Sequence, residues 1–340
     1  MRPTPSALST ALAVALLAGC TAGTLSPPTT ADQPATAIPR WMQPAGVRIL
    51  PPAPIVYQSM PKYGIYASEV YGSDLLAYRN PNTQNHAPIC ELYAEYVNGF
   101  SIDGKANVLL PTAYPDEVSV YKGPALCGKS IGSFTDPYGQ ASDAVSADAA
   151  TGEIVVGDIE ASGSNKVGNI AICTLAKGCT RELKSPHITG YGGGVALAKN
   201  GDCWMSSENN ASFSSATLTY FKGCKGSGKA AHGWKNGYYG GLIVDKQGHL
   251  ISIDFESAQL WVYRGCNPVC RIVHGPFALQ GTSFYGNLNA KGDELALGDN
   301  QFGQVDVYKY GTTKLTYAYS FSNGLSASQA VEAAGFTPSL

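Results

Sequence analysis

Asn98, Asp143 and Asn287 stand far apart in this chain, each at the start of a short apolar run. A hard divalent cation such as calcium gathers carboxylate and amide oxygens from several segments, and zinc also accepts carboxylates. One carboxylate with two amides is a sparse set for such an ion, and a solvated or hydrogen-bonded Asp143 is the competing expectation. Tyr96, Tyr191, Tyr239 and Tyr285 occupy the same kind of position. Gly follows the last three directly, in Gly190-Tyr-Gly-Gly-Gly194, Tyr238-Tyr-Gly-Gly241 and Phe284-Tyr-Gly-Asn287. Glycine lets backbones approach closely, and a set of tyrosines offers flat apolar faces tipped with hydroxyls. Such a surface suits a glycan, a peptide or another protein. The alternative use of these rings is to wedge between packed elements.

Other motifs carry less. Gly128-Lys-Ser130-Ile-Gly132 matches the serine-hydrolase elbow, but that elbow works where a strand turns into a helix, and an outer strand is expected here. The histidines 86, 187, 232, 249 and 274 have no metal-ligand spacing, and His249 falls inside a hairpin. No catalytic residue is assigned. Nine cysteines are present. Cys173 and Cys179 flank one turn, Cys266 and Cys270 another, and each pair is placed to staple a hairpin. Zinc is the other chemistry for short Cys pairs, but these two lie far apart in the chain. Cys203 and Cys224 sit on consecutive expected strands, which leaves Cys90 and Cys127 to each other.

The elements that must position these groups recur. An apolar-aromatic strand end followed by a turn occurs at Tyr78, Tyr121, Ile172, Phe221, Tyr263 and Tyr308. The steps between them are about 43, 51, 49, 42 and 45 residues, the period range of propeller blades. Upstream of most ends stands an apolar strand, a polar turn with Gly and a second apolar strand, as in Gly241–Asp254 and Asn289–Asp299. Alternation in Leu250–Asp254 reads as half-buried strand, and the Gly supplies the positive φ of a tight hairpin. An all-β, six-bladed β-propeller follows, over residues 56–340.

This repeat resembles the NHL type of six-bladed propellers, and the SMP-30/gluconolactonase enzymes share that plan. The resemblance implies a metal-dependent lactonase-like hydrolase as the alternative function, with Asp143, Asn98 and Asn287 at the channel mouth; the Glu of that family has no match here. Closure is legible too. Ala327-Ser-Gln-Ala-Val-Glu-Ala-Ala334 nearly repeats the string Ala141–Asp148 that opens the third blade, yet no aromatic strand end follows it. The first copy, from Ile65 to Tyr78, lacks an innermost strand. Residues 327–336 are therefore expected to complete blade one and remove a free sheet edge.

The start of the chain reads as an address. Arg2 precedes an apolar run, Ala11 to Ala18, too short to span a bilayer and suited to a signal peptide over residues 1–19. Leu17-Ala18-Gly19-Cys20 resembles the bacterial lipobox, which implies lipidation at Cys20, and Thr21 in place of Asp implies the outer membrane or cell surface. Residues 20–55, rich in Pro, Thr and Ala, are expected to form an extended tether.

With 23 basic and 25 acidic residues the net charge is −2, so no basic field exists for nucleic acid. Charged residues at 14% and 39 glycines fit many short strands and tight turns. The expected protein is an exported, membrane-anchored, monomeric binding scaffold without a cofactor.

Overall fold

The computed structural model describes residues 46–48, 64–69, 74–79, 87–93, 97, 99–113, 116–148, 150–163, 167–208, 215–325 and 330–337. Cys20, the signal segment, Tyr96 and Asn98 lie outside them. Among the described residues the strands build six blades. Strands β1 (Gly46–Arg48), β2 (Gly64–Glu69), β3 (Asp74–Tyr78) and β4 (Cys90–Tyr93) belong to blade 1. Blade 2 follows as β5 (Ser101–Ile102), β6 (Val108–Thr112), β7 (Glu117–Tyr121) and β8 (Ser130–Thr135). Blade 3 is β9 (Ser142–Ala147), β10 (Ile154–Asp158), β11 (Asn169–Thr174) and β12 (Gly178–Leu183). Blade 4 is β13 (Gly192–Leu197), β14 (Cys203–Glu208), β15 (Ala216–Phe221) and β16 (Lys229–Ala230). Blade 5 is β17 (Leu242–Val244), β18 (Leu250–Asp254), β19 (Gln259–Arg264) and β20 (Arg271–Ala278). Blade 6 is β21 (Tyr285–Leu288), β22 (Glu294–Asp299), β23 (Gln304–Gly311) and β24 (Lys314–Phe321). The last strand, β25 (Val331–Thr337), returns to blade 1 as its innermost strand, antiparallel to β2 with Ala67 opposite Ala334. It also runs parallel to β21, with Tyr285 opposite Ala333, so the ring closes as the repeated string implies.

Local chemistry explains the hairpins between first and second strands. Asp245 Oδ1 accepts the N–H groups of Gln247 at 2.9 Å and His249 at 2.8 Å, and Gly248 takes φ +79°. Asp103 does the same for Lys105 and Asn107, and Asn289 for Asp293 and Glu294. A short acceptor side chain folds over its own turn and a left-handed residue closes it. His249 completes its turn through Nδ1, 3.1 Å from Asp245 Oδ2, which makes it structural.

The aromatic strand ends lock blade to blade. Tyr121 donates its hydroxyl to the Tyr93 carbonyl at 3.0 Å; Tyr263 accepts from the Lys235 N–H at 3.0 Å and Tyr308 from the Gln280 N–H at 2.9 Å. Each partner lies 28 residues upstream, where the chain arrives from the preceding blade. The rings are buried between blades, and burial of such rings dominates core energetics.

Four disulfides pair Cys90 with Cys127, Cys173 with Cys179, Cys203 with Cys224, and Cys266 with Cys270. Cys173–Cys179 staples the β11–β12 hairpin and Cys266–Cys270 the turn after β19, whereas Cys90–Cys127 joins β4 of blade 1 to the turn after β7 of blade 2. Loop entropy scales with the closed span, here 37 residues against 4 for Cys266–Cys270. Replacing Cys90 and Cys127 by Ser should cost about 4 kcal/mol, and replacing Cys266 and Cys270 about 2 kcal/mol. Denaturant midpoints of the two variants check the order; equal losses would contradict it.

One boundary moves. The segment expected as tether to residue 55 contributes β1, which pairs Val47 with Leu92 on β4. The outer edge of blade 1 offers unpaired backbone groups, and three residues of the incoming chain suffice to cover them. The Ser130 motif opens the exposed outer strand β8, with no helix after it.

Candidate functional site

At one end of the ring axis several polar side chains meet. Tyr285, at the start of β21 in blade 6, reaches across the axis and donates its hydroxyl to Asp143 Oδ2 on β9 in blade 3. Burial, together with the Asp143 charge, pushes the Tyr285 hydroxyl well above its ordinary range. Tyr239 enters from blade 5. A Cβ at Gly193 would stand 2.1 Å from its ring, so the tyrosine lies directly on the glycine of blade 4. The hydroxyl of Tyr239 is likewise pushed up by burial and by Asp143. Glu332, the second residue of β25, joins them: burial first and Asp143 second raise its carboxyl from 4.5 to about 8, while Asn300 Nδ2 donates to it at 3.3 Å. Burial thus favours the protonated form of an acid on the innermost strand of blade 1.

Behind Tyr285 a cavity of about 100 Å³ follows the axis between the innermost strands, lined by Ala144, Val195, Leu242 and Leu288 among others. No carboxylate lines it among the described residues.

Outside Tyr285 the mouth is aromatic and acidic. Tyr238 stacks on Tyr239 with centroids 4.8 Å apart, and Phe255 stacks on Phe284 at 3.7 Å. Tyr191, Tyr238, Phe255 and Phe284 all keep part of their surface exposed. Tyr238 is hydrogen-bonded to Glu208, and burial followed by Glu208 pushes its hydroxyl up. Burial and the charges of Glu160 and Glu208 do the same to Tyr191. Every charged group that perturbs Tyr191, Tyr238 and Tyr239 is acidic.

The expected sites fall out unevenly. Tyr191, Tyr239 and Tyr285 do gather at one end of the axis, but Tyr285 is wedged and buried, and Tyr191 is left with an open face. Of the expected metal set, Asn98 lies outside the described residues. Asp143 accepts the Tyr285 hydroxyl, and Asn287 Oδ1 accepts the Phe336 N–H at 2.7 Å in the seam of blades 1 and 6. One oxygen of each helps to hold the ring together. Among the described residues, the group of three metal-competent side chains within 4.8 Å is Asp136 with Cys173 and Cys179, whose sulfurs are joined to each other. Glu160, Glu208 and Glu332 were not singled out in the sequence. Glu208 nevertheless ends its second strand as Asp158, Asp254 and Asp299 end theirs, and that periodic acid was the available signal.

No protein-family model and no curated protein matches the chain. Among solved structures, a chain from the crystal structure of a nidogen/laminin complex is similar at 10% identity and TM-score 0.57, over 81% of this chain and 98% of that one. A streptogramin B lyase structure is similar at 11% identity and TM-score 0.48, over 77% of this chain and 73% of that one. The first likeness shows the fold. The chain is a disulfide-bonded β-propeller closed by its C-terminal strand.

Proposed function

We propose that this chain is an exported binding propeller, lipidated at Cys20 and held by residues 20–45 at the outer membrane or cell surface of a bacterium, whose axial mouth binds a protein or peptide through basic side chains. The observation that carries the binding reading is the mouth itself: partly exposed aromatic faces whose charged neighbours are all acidic. A lysine or arginine over such a ring gains the ring's quadrupole and the carboxylate together. Four disulfides support an oxidising compartment. The nidogen/laminin structure is a complex of proteins, which fits the same use of the fold. A lactonase-like site is not favoured, because Asp143 and Asn287 serve the ring.

Tyr191→Ala leaves the Glu208 N–H to Tyr191 carbonyl bond intact and removes one ring face. This change and Glu208→Gln should each weaken binding of a short lysine-rich peptide by about 1 kcal/mol, roughly fivefold. Calorimetric titration of the two variants reads this, and affinities equal to the parent's would remove the mouth from consideration.

A further inference from the structure

Between blades 2 and 3 a second group of acids gathers, two of them buried, and a cation meets it at Glu182, where Lys184 stands 3.1 Å from Oε2. Asp116 precedes β7, Asp136 follows β8, Asp158 ends β10 and Glu182 lies on β12. Asp158 is 0% exposed and Asp136 3%. Burial, then Asp136, Asp116 and Glu182, push the Asp158 carboxyl up, and burial chiefly raises Asp136 to about 6. No basic group acts on either.

The hydrogen bonds do not close. Asp116 Oδ1 accepts the Ser142 N–H at 2.8 Å, and Asp136 Oδ1 the Tyr138 N–H at 2.8 Å. The Ser142 hydroxyl stands 3.3 Å from Asp116 and 3.2 Å from Asp158, so a single proton serves two carboxylates. Asn169 Nδ2 is committed to the Tyr138 carbonyl at 3.1 Å and Glu182 Oε1 at 2.7 Å, which fixes the amide's orientation. Three buried acceptors remain with no donor: Asp136 Oδ2, Asp158 Oδ2 and Asn169 Oδ1. Asp158 and Asn169 are opposite one another on β10 and β11. The Gly139 backbone runs between the two aspartates, bonding to Asp136 through its N–H, and a Cβ on it would stand 2.3 Å from the Asp158 carboxylate.

The other strand-end aspartates differ. In blade 5, Asp254 Oδ2 accepts the Gly237 N–H at 2.8 Å and Oδ1 the Ser257 N–H at 3.4 Å. In blade 6, Asp299 takes the Gln301 and Phe302 N–H groups on one oxygen and the Gln304 amide on the other. Tying down its own blade therefore satisfies this aspartate in blades 5 and 6, and leaves an oxygen over in blade 3. A buried acceptor without a donor costs about 1–3 kcal/mol, more when charged, and no basic group acts on the two buried aspartates among these four carboxylates.

We propose that this cluster binds one calcium ion, through the carboxylates of Asp136 and Asp158 and the amide oxygen of Asn169, with Asp116 and Glu182 balancing its charge. Calcium tolerates irregular sets of carboxylate, amide, backbone and water oxygens. The cluster needs that tolerance, since no three of its carboxylates stand within 4.8 Å. The neighbouring sulfurs are joined in a disulfide and offer no thiolate to a softer metal.

The test is calcium titration of the chelator-stripped protein by calorimetry, with melting followed in parallel and terbium as a luminescent substitute that Tyr138 is placed to sensitise. One ion per chain, a raised melting temperature and terbium emission are expected. Asp136→Asn and Asp158→Asn should each weaken calcium by at least roughly tenfold, since a direct ligand costs no less than an outer-shell partner. Asp254→Asn, the same position in blade 5, should leave calcium affinity unchanged. If Asp158→Asn fails to fold, Asp136→Asn and terbium emission still decide. No calcium heat and no thermal shift in the parent would overturn the proposal and leave the cluster to protons. Binding that survives both blade-3 substitutions, or falls with Asp254→Asn alone, would overturn it as well.

Discussion

A chain cut before Val331 should not form the ring. β25 supplies six register pairs to β2 and two to β21, and it buries Val331, Ala333 and Ala334. Each ladder hydrogen bond contributes about 1 kcal/mol net, against a total stability of roughly 5–15 kcal/mol. The cut also exposes the inner edge of β2 and unseats Asn287, whose amide oxygen then loses the Phe336 N–H. Two open sheet edges invite association with other chains. Circular dichroism on heating should show no cooperative transition, and size exclusion should show aggregates. Melting like the parent's would mean that the strand merely decorates blade 1.

Raising the pH should destabilise the protein. Glu332 moves from 4.5 to about 8, Asp306 from 3.8 to about 7 and Asp136 from 3.8 to about 6, in each case through burial first. Asp116, Asp158 and Glu208 shift the same way. Each carboxyl holds its proton more tightly in the fold than in the unfolded chain. The stability this provides is complete below pH 4 and is lost as the pH climbs through 6, 7 and 8. Glu332 alone loses a few kcal/mol between pH 5 and pH 8, and the melting temperature in chelator should fall by roughly 10 °C across that range. Glu332→Gln should flatten the upper part of the curve. A melting temperature that is constant or rises from pH 5 to pH 8 would contradict the assignment. Calcium at pH 8 should recover part of the loss, because a cation at Asp136 and Asp158 replaces the protons.

Much of the architecture was legible because it is local and repeated. Asp245 and Gly248 announce their hairpin within four residues, and the aromatic ends at Tyr121, Tyr263 and Tyr308 recur at blade spacing. The closing strand betrays itself by near identity with the string Ala141–Asp148. Pairing of Cys90 with Cys127 was left by the other six cysteines, and its role across two blades became visible only with the fold. The axis was harder to read. Tyr285 meets Asp143 across 142 residues and half the ring, and no spacing in the sequence encodes that encounter. Nor does any spacing announce that Asn287 accepts a hydrogen bond in the seam of blades 1 and 6 while Asp143 accepts one from a tyrosine. Strand β1 has three residues in a proline-rich stretch and takes its conformation from β4, so propensity had little to reveal.

The binding mouth is tested most directly by its charge preference. Calorimetric titration with a lysine-rich peptide and with a glutamate-rich peptide of the same length should give heat for the first and none for the second. Affinity for the lysine-rich peptide should fall as salt is raised, since ions screen the attraction between the peptide and the acidic mouth. Equal binding of the glutamate-rich peptide, or no heat from the lysine-rich one, would contradict an acidic, aromatic mouth as the site of recognition.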